Sequence, residues 1–283
     1  MIEFASERYR EQIKALWCEA FEESAASAEH YFTCCHMDSN MLLDTEGDGV
    51  CAMLTMLPLT LYFGAEAYSG RYIYAVATRK DCRGQGRSTR LLQEAHGYMR
   101  REGVAASLLV PASESLFDFY AQRGYTKAFS LSETVWDADM LPPAGAGTVR
   151  RMETAKAYVD LRLAAFGDSR PFAAWDADML ERIMAYGHCY GAEFYHVGTS
   201  RGEAAAFCVR EGDTVLVKEL AVFGMKTEQA VALLHGQLGA KQYCVRTAAG
   251  RAEEKRRFDF AMLCTLQGNL PKPCNAYFNL AMD

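Results

Sequence analysis

Five cations lie close together between residues 79 and 90, in a chain whose formal net charge is −6. They are Arg79, Lys80, Arg83, Arg87 and Arg90, and the glycines Gly84 and Gly86 lie among them. An amphipathic helix pattern follows directly, and the first N–H groups of a helix lack internal partners and carry partial positive charge. Glycine lets such a backbone approach a ligand without an intervening Cβ atom. The stretch therefore predicts an anion cradle, most naturally for a phosphate or pyrophosphate, which the five cations reinforce.

The cradle needs a strand before it and a helix after it, and the sequence predicts both. Residues 72–78 are mainly aromatic and aliphatic, as is typical of a strand. From Ser88 onward, apolar residues recur at helical spacing on one face, and Gly103 ends the pattern.

Two well-known phosphate-binding motifs do not fit the turn. The sequence lacks the nucleotide P-loop string G-x-x-x-x-G-K-[ST], and the dinucleotide fingerprint G-x-G-x-x-G fails at Thr89. The six residues from Arg83 to Ser88, RGQGRS, resemble the [QR]-x-x-G-x-[GA] turn of the GCN5-related N-acetyltransferase (GNAT) superfamily. Ser88 stands where that turn usually has Gly or Ala. The alternative is a basic surface loop that leads into a helix.

A second signature follows at the expected separation. Residues 104–111 predict a buried strand, and Ser113 or Ser115 can cap the short helix after it. The six residues from Tyr120 to Tyr125, YAQRGY, resemble the Y-x-x-x-G-[FY] signature of the same superfamily. The region resembles in particular the Eis-type (enhanced intracellular survival) branch, which joins two acetyltransferase-like domains in tandem. In residues 1–136 the resemblance rests on sequence motifs. In the remainder of the chain it rests on the order of the predicted strands and helices.

The resemblance implies how acetyl-coenzyme A is held. The pyrophosphate would lie on the turn, and the pantetheine arm would lie between splayed strands at residues 72–78 and 104–111. Backbone N–H groups near the end of the first strand would bond the acetyl carbonyl. The implied cofactor-binding residues are Val76, Ala77, Thr78, Arg83, Gly84, Gln85, Gly86, Arg87, Ser88 and Ser113.

The resemblance also implies that Tyr120 lies beside the thioester sulfur. A phenol, with a reference pKa of about 10, is neutral at pH 7 and keeps its proton, so Tyr120 could protonate or hydrogen-bond the departing thiolate, whose thiol has a reference pKa of about 8.5. The alternative is a tyrosine that only packs in the core. No general base is evident, because the strand before the turn holds no carboxylate. In Eis-type enzymes the C-terminal carboxylate has this role, which makes Asp283 a candidate, beside water-mediated deprotonation or an amine that arrives neutral.

The region between the first two predicted helices often lines the acceptor site in this superfamily. Here it holds Glu22, Glu23 and Glu29, which would suit a cationic amine or are simply solvated helix ends. The resemblance implies direct transfer of an acetyl group from acetyl-coenzyme A to a primary amine of a small molecule or peptide. A non-catalytic acyl-coenzyme A sensor or interaction module is the alternative. A phosphate-binding protein unrelated to coenzyme A is a third interpretation.

A change in composition at residues 137–147, with two prolines and several glycine and alanine residues, predicts a linker. The expected fold is α/β (α+β), with two tandem GNAT-like domains at residues 1–136 and 148–283. Each would be a mixed, mostly antiparallel sheet flanked by helices. Residues 222–227 hold one glycine and no arginine, so we interpret the second domain as a degenerate repeat that binds no cofactor and shapes the acceptor pocket or a subunit contact. We do not expect the sterol-carrier-like third domain of Eis-type proteins in this chain.

The overall composition argues against several other classes of protein. A pI near 5.6 argues against a general nucleic-acid binder, and no apolar run approaches membrane-spanning length. Ten cysteines without a C-x-x-C pair, and no apolar signal core near residue 1, favour a cytoplasmic protein with reduced thiols. The run Cys34-Cys35-His36 lacks the usual ligand spacing, so we expect buried thiols and no metal. Whether the chain forms a homo-oligomer is left open.

Overall fold

The computed structural model describes residues 1–282 except 168–169, 250–255, 269, 274–275 and 281. The chain divides into two compact units. The first comprises residues 1–60, 68–126 and 262–270, and the second comprises residues 61–67, 127–261 and 271–283.

Strands and helices alternate along the chain. The strands are β1 (Ile2–Phe4), β2 (Met41–Glu46), β3 (Gly49–Phe63), β4 (Glu66–Thr78), β5 (Ala106–Leu109), β6 (Thr126–Asp137), β7 (Thr148–Arg151), β8 (Phe172–Ala174), β9 (Ala192–Gly198), β10 (Glu203–Glu211), β11 (Thr214–Phe223), β12 (Gln242–Ala248) and β13 (Arg256–Thr265). The α-helices are α1 (Arg10–Phe21), α2 (Ala25–Cys34), α3 (Arg87–Arg101), α4 (Glu114–Ala121), α5 (Ala155–Phe166), α6 (Ala177–Cys189) and α7 (Thr227–Leu238). None of the described helices is both long and apolar enough to cross a membrane.

In the first unit, β1 to β5 are neighbours in chain order, and the second half of β13 pairs with β5. β4 and β5 run in parallel with α3 as the connection between them. Their register extends from Gly70–Ala106 to Tyr72–Leu108, whereas β4 continues to Thr78. The two strands therefore separate at the level where α3 begins.

The alternation of side chains along β4 places helices on both faces of this sheet. Ile73 belongs to the apolar cluster that holds α3 and α4, together with Leu91, Leu92 and Phe117. The next residue, Tyr74, contacts Trp17 of α1 on the opposite face, with ring centroids 5.8 Å apart. Both faces are thus covered around the end of β4, where the sequence places the site.

The second unit repeats part of this plan. Its strands are ordered β6, β12, β11, β10, β9 and β7. β11 and β12 run in parallel from Thr214–Gln242 to Val217–Val245, and α7 connects them. β11 continues to Phe223, beyond the shared register, as β4 does in the first unit.

The predicted fold class is confirmed, although several elements differ from their predicted extents. The sequence pattern predicts two strands, at residues 50–57 and 59–63, but residues 49–63 form one long strand, and β8 was not predicted. The sequence pattern also predicts a strand at residues 276–281, and this prediction is wrong for the described part, where only Ala276 and Tyr277 form isolated bridges. The linker and domain boundaries predicted from the sequence stay a prediction.

Side chains help to hold residues 276–280, which do not form a strand. Glu219 and Arg162 form a fully buried ion pair, with Arg162 Nε 3.1 Å from Glu219 Oε2. The Tyr277 hydroxyl donates to Glu219 Oε1 at 2.9 Å, and Trp175 Nε1 donates to the Leu280 carbonyl at 3.0 Å. A buried charge must be paired and hydrogen-bonded, so this network adds side-chain bonds to the two backbone bonds that Tyr277 makes, to the Pro171 carbonyl and from the Ala173 N–H.

Candidate functional site

The turn between β4 and α3 has the backbone that an anion site needs. Gly84 and Gly86 have φ of +74° and +72°, in the left-handed region that favours glycine. Gly86 is the N-cap residue of α3, and its carbonyl accepts the N–H of Arg90 at 3.0 Å. A Cβ atom built on either glycine meets no protein atom within 4 Å. The N–H groups that begin α3 therefore face a space that a phosphate can occupy.

The cations around this turn are less available than the sequence implied. Arg79 donates to both carboxylate oxygens of Asp81, at 2.6 and 3.1 Å, and this interaction lowers the pKa of Asp81. Arg90 lies 2.5 Å from Asp44. Lys80 and Arg83 are exposed and form no ion pair within the described residues. The expected reinforcement by five free cations is thus corrected, since β2 and the turn itself supply carboxylates to three of them.

Arg87 is the third paired cation and is the most buried of the five. Its guanidinium donates to Glu46 and lies 3.5 Å from the buried carboxylate of Asp44. It also donates twice to Gln85 Oε1, at 3.1 and 3.0 Å. Arg87 therefore anchors the turn to β2, and Gln85 is bonded to this anchor.

The end of β4 carries a backbone distortion beside the turn. Ala75 has φ of +51°, a conformation that costs a non-glycine residue about 1–2 kcal/mol. The three predicted N–H donors, Val76, Ala77 and Thr78, follow directly, beyond the register that β4 shares with β5. The Thr78 carbonyl accepts Arg83 Nε at 3.0 Å, which links the strand end to the turn. Strain of this kind collects at functional sites.

Tyr120 lies on α4 in the apolar cluster and is 8% exposed. Burial raises the pKa of Tyr120 to about 12. Its ring contacts Tyr125 edge-on, with centroids 5.7 Å apart, and its hydroxyl makes no hydrogen bond within the described residues. Ser113 is the N-cap residue of α4, but its hydroxyl bonds Ser115 at 3.0 Å instead of capping the helix.

Three buried polar side chains, those of Tyr125, Ser107 and His96, form a hydrogen-bonded triad next to Tyr120, whose ring contacts Tyr125. This triad was not predicted from the sequence. The Tyr125 hydroxyl bonds Ser107 Oγ of β5 at 2.5 Å and His96 Nε2 of α3 at 2.9 Å. Burial lowers the pKa of His96 to about 4, with Arg100 adding to the effect. The imidazole is therefore neutral near pH 7. A histidine on a predicted helix face was the only signal for this triad.

The three acidic residues predicted for the acceptor lie on α2 and on the connection between α1 and α2. Glu22 is the C-cap residue of α1 with φ of +56°, and Glu23 accepts Trp17 Nε1 at 3.2 Å. Glu29 pairs with Lys14 at 2.7 Å, and this hydrogen bond lowers the pKa of Glu29. Because Trp17 contacts Tyr74 of β4, Glu23 is the one joined by contacts to the strand that leads to the turn.

Two further predictions are limited by what the structure describes. Asp283, the candidate base, lies outside the described residues. Within the described part of the chain, no three His, Cys, Asp or Glu side chains converge in a way that could hold a metal ion.

A protein-family model matches the part of the chain that contains the turn and Tyr120. Residues 2–128 match the model described as an acetyltransferase (GNAT) domain. Among curated proteins, no sequence matches the chain.

Solved structures share the fold over nearly the whole chain. A probable N-acyltransferase from Enterococcus faecalis has a TM-score of 0.77 at 16% identity, covering 94% of this chain and 72% of its own. A GCN5-related N-acetyltransferase from Anabaena variabilis has the same TM-score and identity, covering 94% and 73%. Eis1 from Mycobacterium abscessus has a TM-score of 0.68 at 12% identity, covering 94% and 74%. The family model thus supports the resemblance to the GNAT superfamily over residues 2–128, and the solved structures, Eis1 among them, show that the fold is shared.

Proposed function

We propose that the GNAT domain at residues 2–128 transfers an acetyl group from acetyl-coenzyme A to a primary amine of a small molecule or peptide. The observation that carries this proposal is the open glycine turn at the start of α3, beside the separation of β4 and β5. The family match and the folds support acyl-coenzyme A-dependent acetyl transfer in general. The amine acceptor and the residue roles below belong to the proposal.

The described residues fit acetyl-coenzyme A, which supplies an activated thioester when bound. The N–H groups of the turn at residues 83–88 would hold the pyrophosphate, and Arg83, which is exposed and has no carboxylate partner within the described residues, would add positive charge. The edge of β4 beyond Tyr72 would accept the pantetheine arm as an added strand. The N–H groups at Val76, Ala77 and Thr78 would bond the acetyl oxygen, and Ser113 would contact the arm from the start of α4.

Tyr120 would hold the proton that the leaving sulfur needs. A phenol with a pKa of about 12 stays protonated throughout the neutral range, so its Oη is a donor and not a base. Its hydroxyl has no partner within the described residues, which leaves the donor available. The surrounding aromatic rings would exclude water from this position.

The acceptor amine would approach from the side of α1 and α2. Glu23, held by Trp17, would attract a cationic amine, with Glu22 and Glu29 adding negative charge nearby. For the base, Asp283 stays a candidate, and deprotonation through water is the alternative. Transfer would be direct, from thioester to amine.

A thiol-release assay with a panel of primary amines tests the proposal. Calorimetry with coenzyme A should show binding, and at least one amine should release free coenzyme A thiol from acetyl-coenzyme A, with the acetylated amine seen by mass spectrometry. Binding without turnover on any amine would favour the sensor interpretation. No binding of coenzyme A would leave only an unrelated anion site.

A further inference from the structure

One side chain joins the phosphate turn to the helix that carries Tyr120. Arg123 follows α4, and its Nε and Nη2 both donate to Thr89 Oγ1, at 3.0 and 2.7 Å. Its Nη1 donates to the carbonyl of Phe119 at 2.5 Å. The guanidinium also lies over the Phe119 ring, 3.4 Å from the centroid. All these groups belong to the first unit.

The two ends of this link are the two places where the proposed chemistry is held. Thr89 is in the first turn of α3, directly after the predicted phosphate turn. Phe119 directly precedes Tyr120 on α4. Hydrogen bonds from a guanidinium are stronger than those between neutral groups, and two of them to one oxygen leave little freedom. A cation over a ring adds a further attraction.

We infer that Arg123 is a positioning residue that sets the distance of the Tyr120 hydroxyl from the cofactor turn by clamping Thr89 to the backbone of Phe119. This inference rests on the proposed function. Apolar contacts between α3 and α4 are not directional and allow the helices to slide against each other. The hydrogen bonds of the clamp are directional, so they fix the position of α4 along α3. Catalysis depends on such precision, because an error of about 1 Å can cost about 10²-fold in rate.

A competing role for Arg123 is direct ligand binding. Arg123 lines an open cavity of about 450 Å³ with Thr89, Gln93, His96 and Arg100. A guanidinium that bound a phosphate there would have to give up Thr89. The two roles predict different results when Thr89 loses its hydroxyl. If Arg123 binds a ligand, the change frees its guanidinium and binding should become tighter. If Arg123 is a clamp, the change breaks the clamp and acetyl transfer should become slower.

The test compares Thr89→Val, Thr89→Ser and the control Thr126→Val. Valine keeps the shape of threonine without the acceptor oxygen, and serine restores the oxygen. Thr126 is an exposed residue of β6 whose hydroxyl bonds the Leu263 carbonyl, so Thr126→Val removes a threonine hydroxyl that is not part of the clamp. For each protein we would measure Kd for coenzyme A, single-turnover acetyl transfer and amide exchange of α4.

For Thr89→Val we expect transfer to fall roughly tenfold to a hundredfold, in line with a misplaced group. Its Kd should stay within about twofold, because the turn backbone is intact. Amide exchange in α4 should be faster than in wild type, and Thr89→Ser and Thr126→Val should resemble wild type. Unchanged exchange, or tighter binding of coenzyme A with normal transfer, would overturn the clamp in favour of ligand binding. A wild-type protein without turnover would refute the proposed function alone, and the exchange data would still decide the clamp.

Discussion

At the scale of single residues, Tyr120 combines burial with a hydroxyl that makes no hydrogen bond within the described residues, as the proposed proton donor requires. Tyr120→Phe removes the hydroxyl and keeps the ring, so packing should change little. Acetyl transfer should fall by roughly 10²–10⁴, the usual worth of a positioned acid, while Kd for coenzyme A should barely change. The measurement is kcat with the best amine, with calorimetry for the cofactor.

Tyr98→Phe on α3 is a suitable control, because it removes a tyrosine hydroxyl from the same unit at a residue that the proposed mechanism does not use. If product release limits wild-type turnover, single-turnover transfer replaces kcat. A Tyr120→Phe protein within about twofold of wild type, outside the range of such catalytic effects, would remove Tyr120 from the mechanism.

His96 gives the first unit a dependence of stability on pH. Its pKa is lowered from 6.5 to about 4 in the folded protein, so between these values the unfolded chain binds a proton that the folded chain does not. Stability contributed by the neutral form is therefore present above pH 6.5 and decreases as the pH falls toward 4. From pH 7 to pH 5 the free energy of unfolding should drop by about 2 kcal/mol from this group.

Urea unfolding at pH 7 and pH 5 tests this expectation. In His96→Gln the drop should shrink by most of that amount, because glutamine does not titrate. His188→Gln, on an exposed position of α6, should keep the wild-type drop. Equal drops in wild type and His96→Gln would show that His96 is not a buried neutral histidine.

At the scale of elements, α3 offers a matched pair of glycines that separates ligand binding from backbone strain. Gly86 begins the helix with φ of +72°, and Gly103 follows its end with φ of +71°. Alanine at either position should cost about 1 kcal/mol of stability, because both backbones are left-handed. Only Gly86→Ala places a methyl group where the pyrophosphate would lie.

We therefore expect Gly86→Ala to weaken coenzyme A binding about tenfold to a hundredfold, the worth of one charge-assisted hydrogen bond. Gly103→Ala should bind as wild type does. Calorimetry with coenzyme A and thermal unfolding on both variants make the comparison. Equal loss of affinity in the two would mean that strain, not the ligand, explains the effect.

Local sequence predicted those elements whose side chains alternate or recur with a clear period. The strand and helix around the turn, and α7, follow from period and glycine placement. The hexamer WDADML shows the limit of local information, because it occurs twice in different structures. At residues 136–141 it ends β6, whereas at residues 175–180 Asp176 caps α6 by accepting the Met179 N–H at 2.7 Å. Tertiary packing decides between these outcomes.

Partners distant in sequence could not be predicted for the candidate site. The turn was predicted because its glycines and the helix start are adjacent in the chain. Asp44 lies more than forty residues before Arg87, and Thr89 lies 34 residues before Arg123. Such pairs exist only once the sheet brings β2 and α4 to the start of α3, so a single sequence gives no sign of them.

At the scale of the whole chain, the second unit also has two parallel strands that separate, β11 and β12, but the turn after β11 has no open space beside its glycine. After β11, Gly224 has φ of +69°, as the cradle glycines do, but a Cβ atom built on it would lie 2.7 Å from the Arg201 carbonyl oxygen. Gly202 approaches the same turn equally closely, with its Cβ position 2.3 Å from the Gly224 carbonyl carbon. The hairpin between β9 and β10 thus fills the space that is open beside Gly84 and Gly86. This supports the proposal that the second unit binds no cofactor.

The chain should accordingly bind one equivalent of coenzyme A. Titration calorimetry on wild type should give a single site, and Gly86→Ala should weaken that site without exposing a second one. Gly224→Ala should bind coenzyme A normally and lower the melting temperature, because its methyl group would collide with backbone that cannot move aside. Two equivalent sites in wild type, or loss of binding in Gly224→Ala with the fold retained by circular dichroism, would show that the second turn also holds the cofactor.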